Sequence, residues 1–163
     1  MVGALCAPQV TDIAFDQTGL GDVMAQLVEG NGEGKTISVR TLSDGTLRFI
    51  GYLAALFSAP KGSIILLEEI ENGLHPTRVH LLVELFEQFA EARNIQIIVT
   101  THSSQVLLVL SETTLRNVVL FARSEDHAGT VVRRLGDLEN FKEVTQKTHI
   151  DELFTTGWQG LAV

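Results

Sequence analysis

Cysteine occurs once in this chain, at Cys6, so no internal disulfide can form and nothing argues for an oxidising compartment. Basic residues are also few. Twelve Lys and Arg stand against twenty Asp and Glu, a formal net charge of −8. The basic residues are scattered, and Arg133-Arg134 is the sole adjacent pair. A broad nucleic-acid-binding face needs clustered Lys and Arg, so this segment does not carry one. Long apolar runs are missing as well. The stretch from Phe49 to Pro60 is far short of a membrane span and includes Gly51, Tyr52 and Ser58. Met1 to Ala7 has no positive leading region and is too short for a signal peptide. Leu5 stands where a lipoprotein cysteine would want a small residue. The expectation is a cytoplasmic chain with no membrane segment.

What is present suits one domain. A length of 163 residues allows a real core, and 45% hydrophobic with 20% charged residues is ordinary for a globular protein. No repeat or low-complexity tract is apparent. Residues 9–15 alternate polar and apolar, as do 35–40, and Val23 to Val28 has strand composition. With a turn at 18–22 and another at 29–34, residues 1–41 are expected to hold an antiparallel β hairpin. Ser43 or Asp44 can cap a following helix, with Leu47, Ile50, Leu53, Ala54 and Phe57 as its apolar stripe. Ile64-Ile65-Leu66-Leu67 reads as a strand buried on both faces. Pro76 suits a first helical turn, and Val79, Leu82, Leu85, Phe86 and Phe89 make an amphipathic helix to about Arg93. A strand at 95–100 and a short helix through Leu110 come next. Two strands are expected around a turn at Asp126–Gly129, then a helical end with Leu153, Phe154 and Trp158 docking it. Helix and strand alternate through the middle, so the fold class is α/β with a parallel sheet core flanked by helices.

Three polar elements punctuate that core in order. Leu42-Ser43-Asp44-Gly45-Thr46 stands at a helix start. Glu68-Glu69 closes the apolar run and leads into Asn72-Gly73-Leu74-His75-Pro76. Thr100-Thr101-His102-Ser103 ends the next strand. In open α/β sheets, ligands bind beyond the carboxyl ends of the strands, and acid there suits a metal-bound water or its proton. Each element also has a plain reading: LSDGT as a helix cap, paired acid as a helix start, and His102 as a surface residue.

Taken together, the three elements resemble the C-terminal half of an ABC-type P-loop ATPase, in the branch with the SMC, RecF-like and OLD-like ATPases. The resemblance covers residues 10–163 and is densest from 42 to 103. It implies the following roles. Ser43 and Gly45 are similar to the signature motif, which contacts the γ-phosphate of ATP held by the opposite protomer. Glu68 stands where Walker B normally has Asp and would hold Mg2+ through water. Glu69 matches the catalytic glutamate that orients and deprotonates the attacking water. Asn72 falls at the D-loop, and His102 matches the switch histidine. Asp44 in place of glycine departs from transporter-type signatures, and Glu68 is longer than the usual Asp. Asp151-Glu152-Leu153-Phe154 and Gly157 resemble the closing segment of relatives.

Two other motifs compete. Gly30-Asn31-Gly32-Glu33-Gly34-Lys35-Thr36 looks like a phosphate loop, but Glu29 occupies the position of its first glycine. It also sits between alternating runs, where a hairpin turn is the better fit. A metal hydrolase built from Glu68, Glu69, Glu71, His75 and His102 lacks the HExxH spacing. The expected organisation is a single partial ATPase domain: a hairpin region at 1–41, then the signature, Walker B, D-loop, switch histidine and closing segment at 42–163. The Walker A lobe is expected to lie outside this organisation.

Two functions follow from the resemblance. One is ATP binding and hydrolysis with Mg2+ in DNA repair, recombination or phage defence. It would work as a homodimer or with a partner chain that supplies Walker A, and DNA would be held by other segments. The other is a non-catalytic fragment or interaction module that keeps the fold and needs a partner chain to bind ATP.

Overall fold

The computed structural model describes residues 10–30, 34–123, 129–145 and 150. The chain divides into two compact units, residues 1–99 and 100–163.

The first unit opens with three antiparallel strands in the order β1-β2-β3, at Val10–Gln17, Val23–Glu29 and Lys35–Ser38. The register is regular except for a bulge between Val10 and Asp12. The expected hairpin is therefore a three-stranded meander. Glu29 pairs with Lys35 across the β2–β3 turn, and Gly30 takes a left-handed φ of 91° there. The phosphate-loop look-alike thus coincides with a hairpin turn, of which residues 31–33 lie outside the described set.

A 3-10 turn at Val39–Thr41 leads into α1, Asp44–Ser58. Ser43 caps this helix by accepting from the Thr46 N–H; Asp44 is already inside its first turn. The buried face of α1 is Gly45, Phe49, Leu53 and Leu56. This corrects the expected stripe: Leu47 is 38% and Phe57 40% exposed. The cause lies at Gly45, which faces a neighbouring loop so closely that it sets the helix rotation. A glycine contributes nothing to a hydrophobic stripe.

Strand β4, Ile64–Leu67, pairs in parallel with β5, Gln96–Val99. Between them runs α2, Pro76–Arg93, capped by His75 at the start and closed by Asn94 in the left-handed region. This is a strand–helix–strand unit of the expected kind. The expectation that β4 is buried on both faces is corrected. Ile64 is 61% exposed and Leu66 70%, and Ile98, which pairs with Leu66, is 47% exposed. The two strands form a sheet of their own, whose other face is half-buried. The core of this unit gathers Phe49, Leu53, Leu56, Ile70, Val79, Leu82, Val83 and Phe86 among its buried residues.

The second unit has short helices α3, Ser104–Leu108, and α4, Glu112–Leu115, then the antiparallel pair β6, Val119–Arg123, and β7, Thr130–Arg134. A 3-10 turn at Leu135–Asp137 and α5, Phe141–Val144, follow. Leu107, Leu115, Leu120, Leu135, Phe141 and Ile150 form its core. Arg116 lies 4.2 Å from the Phe141 ring centroid. Residues 126–128 of the expected turn, and the closing segment with Asp151, Leu153, Phe154, Gly157 and Trp158, lie outside the described residues. Among the described residues, no helix is long and apolar enough to cross a membrane.

Candidate functional site

The first unit brings two of the three polar elements together. β4 delivers Glu68 and Glu69 at its carboxyl end, both exposed. By the two-residue period of the strand, Glu68 follows Ile64 and Leu66 on the open face. Glu69 has a φ of 47°, one of two non-glycine residues with positive φ among those described. That conformation costs an L-residue about 1–2 kcal/mol and recurs where a side chain is held for a task. The chain then turns tightly: Asn72 N–H donates to the Glu69 carbonyl at 3.0 Å, and Leu74 N–H to that of Glu71 at 3.0 Å. Asn72 Nδ2 also donates to Glu69 Oε2 at 3.0 Å, so the side chain of Glu69 is oriented by its own loop.

His75 ends the loop and starts α2. Its Nδ1 accepts from the Thr77 N–H at 3.3 Å. That is a capping role, in line with a loop residue ahead of Pro76.

The signature-like residues meet this loop from the side. The backbones of Gly45 and Gly73 touch. A Cβ added at Gly45 would lie 2.8 Å from the Gly73 carbonyl carbon and would overlap its oxygen. Gly73 itself sits at a φ of 73°, where a side chain is strained. A polar link runs beside this contact. Arg78 Nη1 donates to Thr46 Oγ1 at 3.0 Å, and Thr46 Oγ1 lies 2.9 Å from Ser43 Oγ. The Arg78 guanidinium is also 5.8 Å from the ring centroid of Phe49, itself fully buried. Thr46 and Arg78 were not singled out from the sequence. The available signal was a cation at the third position of α2 on an otherwise apolar flank.

His102 is exposed in the segment between β5 and α3 and belongs to the second unit. The described residues contain no group of three or more His, Cys, Asp or Glu side chains able to hold a metal ion by themselves. Mg2+ does not require one: it keeps several waters and takes one or two carboxylates together with substrate phosphates. The exposed Glu68 carboxylate, at a strand end, fits that donor set.

Comparison with known proteins places the chain. Residues 14–108 match the family described as AAA domain, putative AbiEii toxin, Type IV TA system. The chain belongs to this family. Its AAA domain is an ATPase-family domain. It is similar to an ATP/GTP phosphatase of Helicobacter pylori (strain ATCC 700392 / 26695), 28% identical over 79 residues. That match spans 47% of this chain and 21% of the relative, about a fifth of its length. In structure, the AAA domain is similar to a chain from work on ATP-driven dimerization and DNA-stimulated activation of SMC ATPases. The TM-score is 0.57 at 12% identity, covering 89% of this chain and 87% of the other. At that identity the likeness concerns the fold.

Proposed function

We propose that the chain is the C-terminal lobe of an ATP-hydrolysing machine, with Glu69 as the base that orients and deprotonates the attacking water. The observation that carries this reading is the posture of Glu69. A non-glycine residue is held at a φ of 47° at the mouth of a parallel strand pair, with its carboxylate oriented by Asn72. Backbone strain on an exposed residue suits a side chain held in place for a task. Glu68 is the residue that would stand in the water shell of Mg2+, which when bound neutralises developing charge on the phosphates.

Ser43 and Gly45 are assigned to the γ-phosphate of a nucleotide held by the opposite protomer, Asn72 to the D-loop and His102 to γ-phosphate sensing. The lobe that carries Walker A would come from another segment or chain. The open apolar face of Ile64, Leu66 and Ile98 supports the need for such a partner, because parallel strands are ordinarily covered on both faces. The same feature favours the second reading, a non-catalytic module that requires a partner chain. The orientation of Glu69 favours catalysis. Work on DNA, in repair, recombination or phage defence, is proposed at the level of the assembly. The chain's net charge of −8 leaves DNA contact to other segments.

Mixing two inactive variants tests the trans arrangement. A dimer of one Ser43→Ala protomer and one Glu69→Gln protomer contains one intact composite site. Random mixing then restores roughly a quarter of wild-type hydrolysis, from one working site in half of the dimers. If both residues served the same protomer's nucleotide, mixing would restore nothing.

A further inference from the structure

The link from α2 to the signature-like turn has a fixed donor at its Arg78 end. Arg78 is always a donor, so Thr46 Oγ1 accepts from it. A hydroxyl has one proton and two acceptor positions, and Thr46 keeps its proton for another partner. Ser43 Oγ lies 2.9 Å away. Ser43 Oγ already accepts the Thr46 N–H at 3.3 Å. If it also accepts the Thr46 hydroxyl, both of its acceptor positions are filled and its own proton is left to be donated outward. Ser43 is exposed, so that proton is open to water or to an incoming anion such as a phosphate. A charged donor at the head of such a chain strengthens each later bond.

We propose that Arg78 and Thr46 are positioning residues for phosphate recognition. They order a relay, Arg78 to Thr46 to Ser43, that presents the Ser43 hydroxyl proton to a phosphate oxygen of the nucleotide in the opposite protomer. This inference rests on the signature reading of Ser43. It adds a consequence: the helix that issues from the Glu69 loop also governs the donor aimed at the neighbouring site. The Gly45–Gly73 contact holds the same two segments together on the other side. A phosphate gained or lost at Ser43 is therefore felt by the loop that carries Glu69.

The test uses the full-length protein carrying Glu69→Gln to suppress hydrolysis, with ATP and Mg2+ as probe and self-association measured by sedimentation. Thr46→Val removes the hydroxyl at nearly constant shape and weakens ATP-driven association about tenfold, the size of one charge-assisted hydrogen bond. Arg78→Gln weakens it to a similar degree. Thr46→Ser restores the hydroxyl and association together. ATP binding by the separate protomer stays unchanged in all three, because Ser43 serves the opposite site. Equal association in all variants overturns the relay, as does a Thr46→Ser variant no better than Thr46→Val. If Ser43→Ala also leaves association intact, the signature reading itself falls and the relay with it. If Ser43→Ala weakens association while Thr46→Val does not, the relay alone falls.

Discussion

Gly45 on the first helix and Gly73 in the loop after the second glutamate are in backbone contact, with no room for a side chain between them. The first makes the approach possible and the second makes the turn possible. Gly45→Ala sets two effects against each other. Alanine in a helix gains about 1 kcal/mol over glycine. Forcing a methyl against a carbonyl costs about 1–3 kcal/mol, with the loop displaced. The overlap is with backbone and places the cost at the upper end of that range, so we expect a net loss of stability of about 2 kcal/mol, read as a lower urea midpoint. An alanine variant as stable as the wild type would show that the helix and the loop separate freely.

The left-handed backbone of Glu69 predicts a split between stability and activity. Glu69→Gly and Glu69→Ala both remove the carboxylate, but only glycine relieves the positive φ. Glycine is therefore expected to be the more stable of the two by about 1 kcal/mol, even after its larger chain entropy in the unfolded state. Both variants should lack hydrolysis. Thermal unfolding of the pair checks the difference, and the opposite order would remove strain from the account.

Arg93 closes the carboxyl end of the first helix from a distance in sequence. Its Nη1 donates to the Phe57 carbonyl at 3.0 Å and reaches those of Leu56 at 3.5 Å and Ala59 at 3.4 Å. The guanidinium also lies 5.1 Å from the Phe89 ring centroid, which packs edge-on against Phe57 at 4.9 Å. Arg93→Ala should cost about 1–2 kcal/mol through exposed carbonyls and lost ring packing. Arg93→Lys should recover part of it. Melting curves of the two variants decide the matter, and no loss in Arg93→Ala would mean that water caps the helix equally well.

Some of this was legible in the sequence because it depends on local rules. Ser43 caps the first helix, Pro76 opens the second, and that helix ends at Arg93, where Asn94 turns left-handed. The parallel pairing of residues 64–67 with 96–99 follows from the strand–helix–strand order. Other features depend on tertiary contact and leave no periodic trace. The rotation of the first helix follows from Gly45 meeting Gly73, so the stripe expected through Leu47 and Phe57 is displaced to Phe49 and Leu56. The open face of Ile64 and Leu66 leaves no mark in the sequence, because an apolar run looks the same whether its second face is covered or not. Thr46 and Arg78 are 32 residues apart, and nothing in either segment announces the other.

The central claim is that Glu69 takes the proton of the attacking water. Steady-state ATP hydrolysis by the full-length protein, wild type against Glu69→Gln, tests it most directly, with ATP binding measured alongside. Glutamine keeps the size of the side chain and its contact with Asn72 but cannot act as a base. We predict a fall in kcat on the order of 100-fold or more with ATP affinity within a few-fold of wild type. Equal rates for the two proteins would contradict the assignment and leave the glutamate pair without a catalytic role.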